Sequence, residues 1–278
     1  MFKTHKKGIT ISFIILFILS ILFYGFLVEP KGQSLAYNTI KIDQLPNAWE
    51  NTKIAFFSDT NMGNAYTLES LKTTIKKINS TQPDLIIFTG ILLDNDPEKK
   101  INENDIIEQL ATLKAPLGKY AILTEYNDTT EIEQVQRILG TADFQMLAND
   151  CRYIYRKDLD ALNLIALNKN ATTDQKQQLL ESSLETTTLL FTDDVELFDT
   201  VAQDYPNIQL MFSYSTYGGN IGIPFINRLL AHTQYPKGIY KKNEQTLIVS
   251  SGVGTPHNFY FRLFNRPKIY IITIQQKI

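Results

Sequence analysis

The chain has little of what most metal centres and redox sites are built from. Its 278 residues include one cysteine, Cys151, and three histidines. A single thiol excludes an intramolecular disulfide framework and any Cys-rich zinc or iron–sulfur site, and three histidines leave little for a His-built metal centre. Charge of one sign is lacking too. With 27 basic and 29 acidic residues the formal charge is −2, which offers no footprint for gripping a nucleic-acid backbone, so no nucleic-acid partner is expected. There is no G-x-x-x-x-G-K-[ST] phosphate loop, no G-x-G-x-x-G dinucleotide turn, no G-x-S-x-G nucleophile elbow and no H-E-x-x-H zinc helix. The closest glycine cluster, SGVGT (Ser251 to Thr255), is trailed by PHNFYFRLFNRP. That does not read as a helix opening, so a turn is expected there.

What is abundant is apolar sequence, at 44% of residues, enough for a substantial packed core. It begins with GITISFIILFILSILFYGFLV, residues 8–28, a run of 21 residues without a charge. That run can cross a hydrocarbon core of roughly 30 Å as a helix. Lys3, Lys6 and Lys7 precede it with no acid among them, so the positive-inside rule places residues 1–7 in the cytoplasm and all that follows outside. EPKGQSLAYN after it has no convincing small-x-small cleavage site, so a retained single-pass anchor in the cell membrane is expected rather than a removed signal. Residues 29–38 read as a polar tether and 39–278 as one domain. Setting aside the three lysines leaves 24 basic against 29 acidic residues, a charge of −5. Such a domain is expected to be held off an anionic membrane surface.

Short β-branched or aromatic runs mark buried strands at residues 54–58, 85–90, 120–124, 162–167, 188–192, 208–213, 246–252 and 269–274. Between some of them lie helical spacings of three and four: Leu68, Leu71, Ile75 and Ile78; Ile106, Ile107, Leu110 and Leu113; and Ile132, Val135, Ile138 and Leu139. Strand–helix alternation to about residue 215, followed by strand-rich sequence, predicts an α/β sheet core covered by helices. Chemistry in such a fold belongs in the loops at the carboxyl ends of strands.

Those loops, in order, resemble the calcineurin-like metallophosphoesterases, particularly their membrane-attached bacterial branch. The family's first strand ends in S-D-x-H-x-G, and here Ser58-Asp59-Thr60-Asn61-Met62-Gly63 stands in that place. PDLIIFTGILLD (Pro83 to Asp94) matches its G-D segment and APLGKYAILTEYND (Ala115 to Asp128) its G-N-H-D segment. TLLFTDDVE (Thr188 to Glu196) matches a strand ending in a lone His, and QLMFSYSTYGGNIGIP (Gln209 to Pro224) a G-H-x-H segment. SGVGT with RLFNRPKI (Arg262 to Ile269) matches the final Gly-rich turn and R…R-P-E-[IV] stretch. The resemblance implies a layered α/β/β/α sandwich preceded by one transmembrane helix. It also implies a centre of two divalent metal ions bound by Asp, His and Asn ligands, with a bridging carboxylate and a metal-bound hydroxide.

Carried over residue by residue, the ligand set is eroded. Asp59 keeps the first carboxylate, Asn61 stands for the first His, and Ile91 stands for the bridging Asp. The G-N-H-D quartet reads Thr124-Glu125-Tyr126-Asn127, with Asp128 one residue on. Asp193 replaces the lone His, Ser215 and Tyr217 replace the two histidines of G-H-x-H, and Asn220 follows. Asp59, Asn61, Ile91, Glu125, Tyr126, Asn127, Asp193, Ser215 and Tyr217 are therefore vestigial metal-site positions. The turn glycines Gly63, Gly90, Gly118, Gly218, Gly219, Gly252 and Gly254 persist. An isoleucine cannot supply the carboxylate that offsets repulsion between two nearby dications, and loss of every imidazole removes the ligands that favour Zn, Fe or Mn.

The expectation is a pseudoenzyme without catalytic residues or metal cofactor, acting by binding a small-molecule ligand or an envelope protein. The alternative is a residual or altered phosphoesterase acting on a membrane-surface phosphoester. A hard-cation site from Asp59, Asn61, Glu125 and Asp193 is the weaker variant, set against the reading of Asp59, Asp193 and Asp194 as helix caps or loop acids. Ile91, Tyr126 and Tyr217 either plug the vacated space or line a new pocket.

Overall fold

A computed structural model describes residues 2–63, 65–94, 102–123, 129–156, 160–214, 222, 233–255 and 260–277. It begins with α1 (Phe2–Phe23), which runs on through a π-helical turn at Tyr24–Val28 and a 3-10 turn at Glu29–Lys31. Ile9–Lys31 is long and apolar enough to cross a membrane, with a mean hydropathy of 2.8. Twelve strands and five further helices follow among the described residues.

The first sheet contains β1 (Ser34–Ile42), β2 (Thr52–Ser58), β3 (Leu85–Thr89), β4 (Lys119–Ile122), β5 (Phe144–Leu147) and β12 (Lys268–Gln276). Its spatial order is β1-β12-β2-β3-β4-β5, with β2 to β5 mutually parallel and β12 antiparallel to β2. The second contains β6 (Asp150–Tyr155), β7 (Ala161–Leu167), β8 (Thr188–Thr192), β9 (Ile208–Tyr214), β10 (Gly238–Lys242) and β11 (Gln245–Ser250). Its order is β10-β11-β9-β8-β7-β6, with β7, β8, β9 and β11 parallel.

Strand periodicity divides the core into three layers, because successive side chains leave opposite faces of a sheet. Ile54 and Phe56 of β2 meet Leu210 and Phe212 of β9 between the sheets, where Phe56 packs on Phe212 at 4.8 Å and Phe191 stacks on Phe212. The alternate residues Ala55 and Phe57 face outward to α2 (Leu68–Ser80), α3 (Glu103–Ala111) and α4 (Thr129–Thr141). Met211 of β9 likewise faces α5 (Thr173–Glu181) and α6 (Leu197–Asp204). This is the α/β/β/α sandwich that the resemblance implied. Runs such as IAFFS and LMFS read as continuously apolar because both faces of their strands are covered.

All eight expected strands and three expected helices are present. The tether is not: most of residues 29–38 is folded, with Ser34 onward forming β1 in full register with β12 from Ser34↔Lys268 to Ile42↔Gln276. β1 escapes a reading for buried strands because it is an edge strand with exposed alternate residues. β10, with two lysines at an edge, escapes for the same reason.

Candidate functional site

Parallel strands bring their carboxyl ends to one side, and hydrogen bonds join the two sheets there. Ser58 Oγ at the end of β2 lies 2.8 Å from Ser250 Oγ at the end of β11. Val253 and Gly254 then donate their N–H groups to the carbonyls of Ser58 and Asp59 at 2.8 and 2.9 Å. Asp59 leaves β2 with φ +49 and Asn61 follows at φ +44, a left-handed conformation in which Asn and Asp are enriched. The turn is held by β3: Asp59 N–H donates to Thr89 O, Asn61 N–H to Ile91 O, and Thr60 Oγ1 to Leu92 O at 2.7 Å. Glycine is required opposite it. Gly90, at φ +83, lies where a Cβ would run into the Asp59 carboxylate, and a Cβ on Gly252, at φ +73, would come within 3.0 Å of the Asp59 Cβ.

The Asp59 carboxylate is buried. Its Oδ1 accepts the Ile91 N–H at 3.2 Å, and its Oδ2 accepts no hydrogen bond among the described residues. Burial pushes its pKa up to about 6, against opposing pulls from the Ser58 hydroxyl, the Ile91 N–H and the Arg262 guanidinium. Arg262 is 1% exposed. Burial lowers its pKa to about 10, and the Asp59 and Glu29 carboxylates oppose that shift. Its Nη2 donates to the carbonyls of Ser251 at 2.8 Å, Gly252 at 3.3 Å and Gly254, and its Nη1 to Asn265 O at 3.1 Å. One guanidinium thus pins the 251–254 turn over Asp59, using a fork of donors that a lysine lacks.

The same arginine reaches the membrane segment. Its backbone N–H donates to Gly25 O at 2.9 Å. The Phe261 ring lies so close to Gly25 that a Cβ there would collide with it, and it meets Phe26 edge-on at 5.0 Å. The buried Glu29 carboxylate accepts the N–H of Phe264 at 2.8 Å and of Asn265 at 2.5 Å. The domain is thus bonded to the end of the apolar helix through a local network that average charge does not report.

Inward-facing registers end in polar atoms at this edge. Thr89 continues the series Leu85 and Ile87 of β3, and Asn168 continues Leu162, Leu164 and Ala166 of β7. Thr89 Oγ1, Asn168 Oδ1 and Ser251 Oγ are buried, and none has a hydrogen-bond partner among the described residues. Lys237 Nζ is in the same condition. Burial, with Arg262 and Lys268 nearby, lowers the Lys237 pKa to about 7, and Glu29 opposes the shift.

The structure brings Asp59, Asn61 and Ile91 together as the loop resemblance implied. Asn61 Nδ2 turns back to Asp59 O at 3.3 Å, and Ile91 contributes backbone groups. Asp193 Oδ1 accepts the Lys169 N–H at 2.6 Å, so this acid braces a loop, and burial raises its pKa. Asp194 stands 3.9 Å from Lys176. Glu125, Tyr126, Asn127, Asp128, Ser215, Tyr217 and Asn220 lie outside the described residues, as do Gly218 and Gly219. Arg262, Glu29, Thr89 and Asn168 were not singled out from sequence. Glu29 is the first charge after the apolar run and Arg262 opens the RLFNRPKI stretch, but neither position marks its partner in the sequence.

No protein-family model matches the chain. It is 29% identical over 260 residues to the uncharacterized metallophosphoesterase YkuE of Bacillus subtilis, covering 91% of this chain and 89% of that one. An uncharacterized metallophosphoesterase of Aquifex aeolicus is 24% identical, with 86% and 90% covered. A transmembrane protein with metallophosphoesterase domain from Danio rerio is 21% identical over 91% of this chain, which spans 60% of that protein. The chain is a relative of the metallophosphoesterases, in agreement with its calcineurin-like loops, and its apolar helix and transmembrane relatives mark it as membrane-associated.

These relatives overturn one expectation. Metallophosphoesterases use divalent metals, so the expectation of no metal cofactor is withdrawn. Among the described residues, the donors at Asp59 nevertheless do not make up a two-metal centre. The described residues hold no group of three or more His, Cys, Asp or Glu placed to hold a metal ion. Asp59 Oδ2 is a buried unpartnered carboxylate oxygen able to meet a cation, but a hard cation takes six or more oxygens. Ile91 supplies no side-chain donor.

Proposed function

We propose that this chain is a membrane-anchored protein of metallophosphoesterase fold that acts by binding a polar ligand or partner, without hydrolysing phosphoesters. Residues 1–7 are cytoplasmic, residues 8–28 form a single membrane span, and the domain, from β1 onward, is extracytoplasmic. The three lysines before an uncharged run and the absence of acid among them support that orientation.

One observation carries the binding reading. Asp59 Oδ2, Thr89 Oγ1, Asn168 Oδ1 and Ser251 Oγ are buried on the edge where both sheets end, with no hydrogen-bond partner among the described residues. Unsatisfied buried polar groups cost about 1–3 kcal/mol each, and native proteins keep such groups where water, an ion or a ligand completes them. Ile91 at the bridging position and an arginine held beside Asp59 favour recognition over two-metal chemistry. The test is hydrolysis of bis-p-nitrophenyl phosphate and p-nitrophenyl phosphate by the full chain in detergent with added Mn²⁺. Rates indistinguishable from those of Asp59→Ala are expected. Turnover that needs Mn²⁺ and disappears in Asp59→Ala would instead support the second reading, a residual or altered phosphoesterase, which the names of the relatives favour. Metal analysis of the purified chain, run alongside, reports how many ions accompany either outcome.

A further inference from the structure

The segment that links the site to the membrane helix also presents a surface. Residues 260–269, YFRLFNRPKI, carry Arg262, Arg266 and Lys268 and no acid. Arg262 is buried, whereas Arg266 and Lys268 are exposed, as is Lys31 at the end of the membrane span. Phe264 is 68% exposed beside them. It holds φ +53, a conformation a bulky aromatic residue rarely adopts. Glu29 fixes that backbone by accepting the Phe264 and Asn265 N–H groups. Three residues before Phe264, Phe261 packs on Gly25 and Phe26 inside the apolar span. The helix therefore fixes where this segment lies along it: Phe261 is level with Gly25 and Phe26, and the Phe264 backbone is bonded to Glu29, two residues before Lys31.

From this we infer that Phe264, Arg266, Lys268 and Lys31 form a docking face for an anionic lipid leaflet. Phe264 inserts at the headgroup boundary and the three cations meet lipid phosphates. An aromatic ring and long basic side chains are the chemistry that such an interface takes. The face gives the domain a fixed orientation on the bilayer, with the carboxyl ends of β2, β3 and β11 turned to the membrane. It does not depend on whether the site hydrolyses phosphoesters.

The test uses the full chain in nanodiscs free of other proteins. The indole introduced by Phe264→Trp should be quenched by lipids brominated near the headgroup end of the acyl chain and shielded from acrylamide. An indole introduced by Tyr155→Trp, on an exposed residue at the opposite end of the strands, should show the reverse. The native Trp49, fully buried, supplies a constant background. Quenching at the Phe264→Trp position should be stronger in membranes rich in phosphatidylglycerol than in phosphatidylcholine. Adding Arg266→Gln and Lys268→Gln should lower the docked-to-undocked ratio about thirtyfold, the factor for two cations at an anionic surface. An indole open to acrylamide and untouched by bromolipid would overturn the inference and leave the face to a protein partner. Equal quenching in neutral and anionic membranes would overturn its electrostatic basis.

Discussion

Replacing Arg262 with methionine removes a charge while keeping much of the side-chain volume, and it tests the central claim about how the site is held. The guanidinium donates to four carbonyls, those of Ser251, Gly252, Gly254 and Asn265, and sits between the buried acids Asp59 and Glu29. Taking one partner from a buried charge network costs about 3–5 kcal/mol, because the charges left behind lose compensation. The orphaned carbonyls could raise that further at about 1–3 kcal/mol each, but the arginine's own desolvation penalty disappears with it, so the lower range is expected. For a domain of this size 1 kcal/mol moves the melting temperature by about 2–4 °C, and Arg262→Met should lower it by about 6–20 °C in detergent micelles. Arg262→Lys should recover less than half, since a single ammonium cannot reach several carbonyls at once. Asp59→Asn in the Arg262→Met background should restore stability by at least about 1 kcal/mol more than the sum of the single changes allows, as contacting charges couple. A loss under about 1 kcal/mol for Arg262→Met, or strict additivity in that cycle, would refute the network.

Three further outcomes follow from the same residues. In chelator-treated protein Asp59→Asn should stabilise near neutral pH by up to about 3 kcal/mol. The folded pKa of about 6 exceeds the usual 3.8, so the native state binds more protons between those values and stability falls as pH rises through them. The difference between the two proteins should vanish below about pH 4, and parallel pH–stability curves would contradict the burial of this acid. Lys237→Met should also stabilise, with the opposite pH course. Its folded pKa of about 7 lies below the ordinary lysine value, so the penalty is present at and below neutral pH and is lost as pH rises toward about 10.4. Denaturant titrations at neutral and alkaline pH would detect it, and a gain that persisted above that range would point to packing instead. Gly90→Ala should destabilise by about 2 kcal/mol or more, from a strained φ and a Cβ driven into the Asp59 carboxylate. A neutral Gly90→Ala, measured by thermal unfolding, would mean that the two loops are not so tightly apposed.

Much of this protein was legible in its residues, for reasons that can be traced. Strands such as TKIAFFS and TLLFT are covered on both faces, and continuous apolar runs of that length admit few other solutions. Helices such as Leu68–Ser80 announce themselves by a single apolar stripe, Leu71, Ile75 and Ile78. The membrane span needs only length and an absence of charge, which composition supplies. Order along the chain was enough to match the loops to a family, because each loop follows its own strand. The loop that brings Asp59 to Asn61 and Ile91 could be found in the same way.

Other features depend on which segments meet in space. β1 and β12 pair across more than two hundred residues, and an edge strand with one polar face carries no local mark of its partner. Arg262 is an unremarkable basic residue until folding buries it between Asp59 and Glu29, beneath four carbonyls contributed by two separate turns. Glu29 reads as the first charge after a membrane helix, yet it fixes the backbone of Phe264 and Asn265. The average charge of −5 carries no trace of the local network of one glycine carbonyl, one carboxylate and two phenylalanine rings that bonds the domain to the end of the apolar helix. Composition and periodicity determine the layers and the membrane anchor, since those follow from what each segment must bury. How the Asp59 turn is held is set by buried charges whose partners only the tertiary structure supplies.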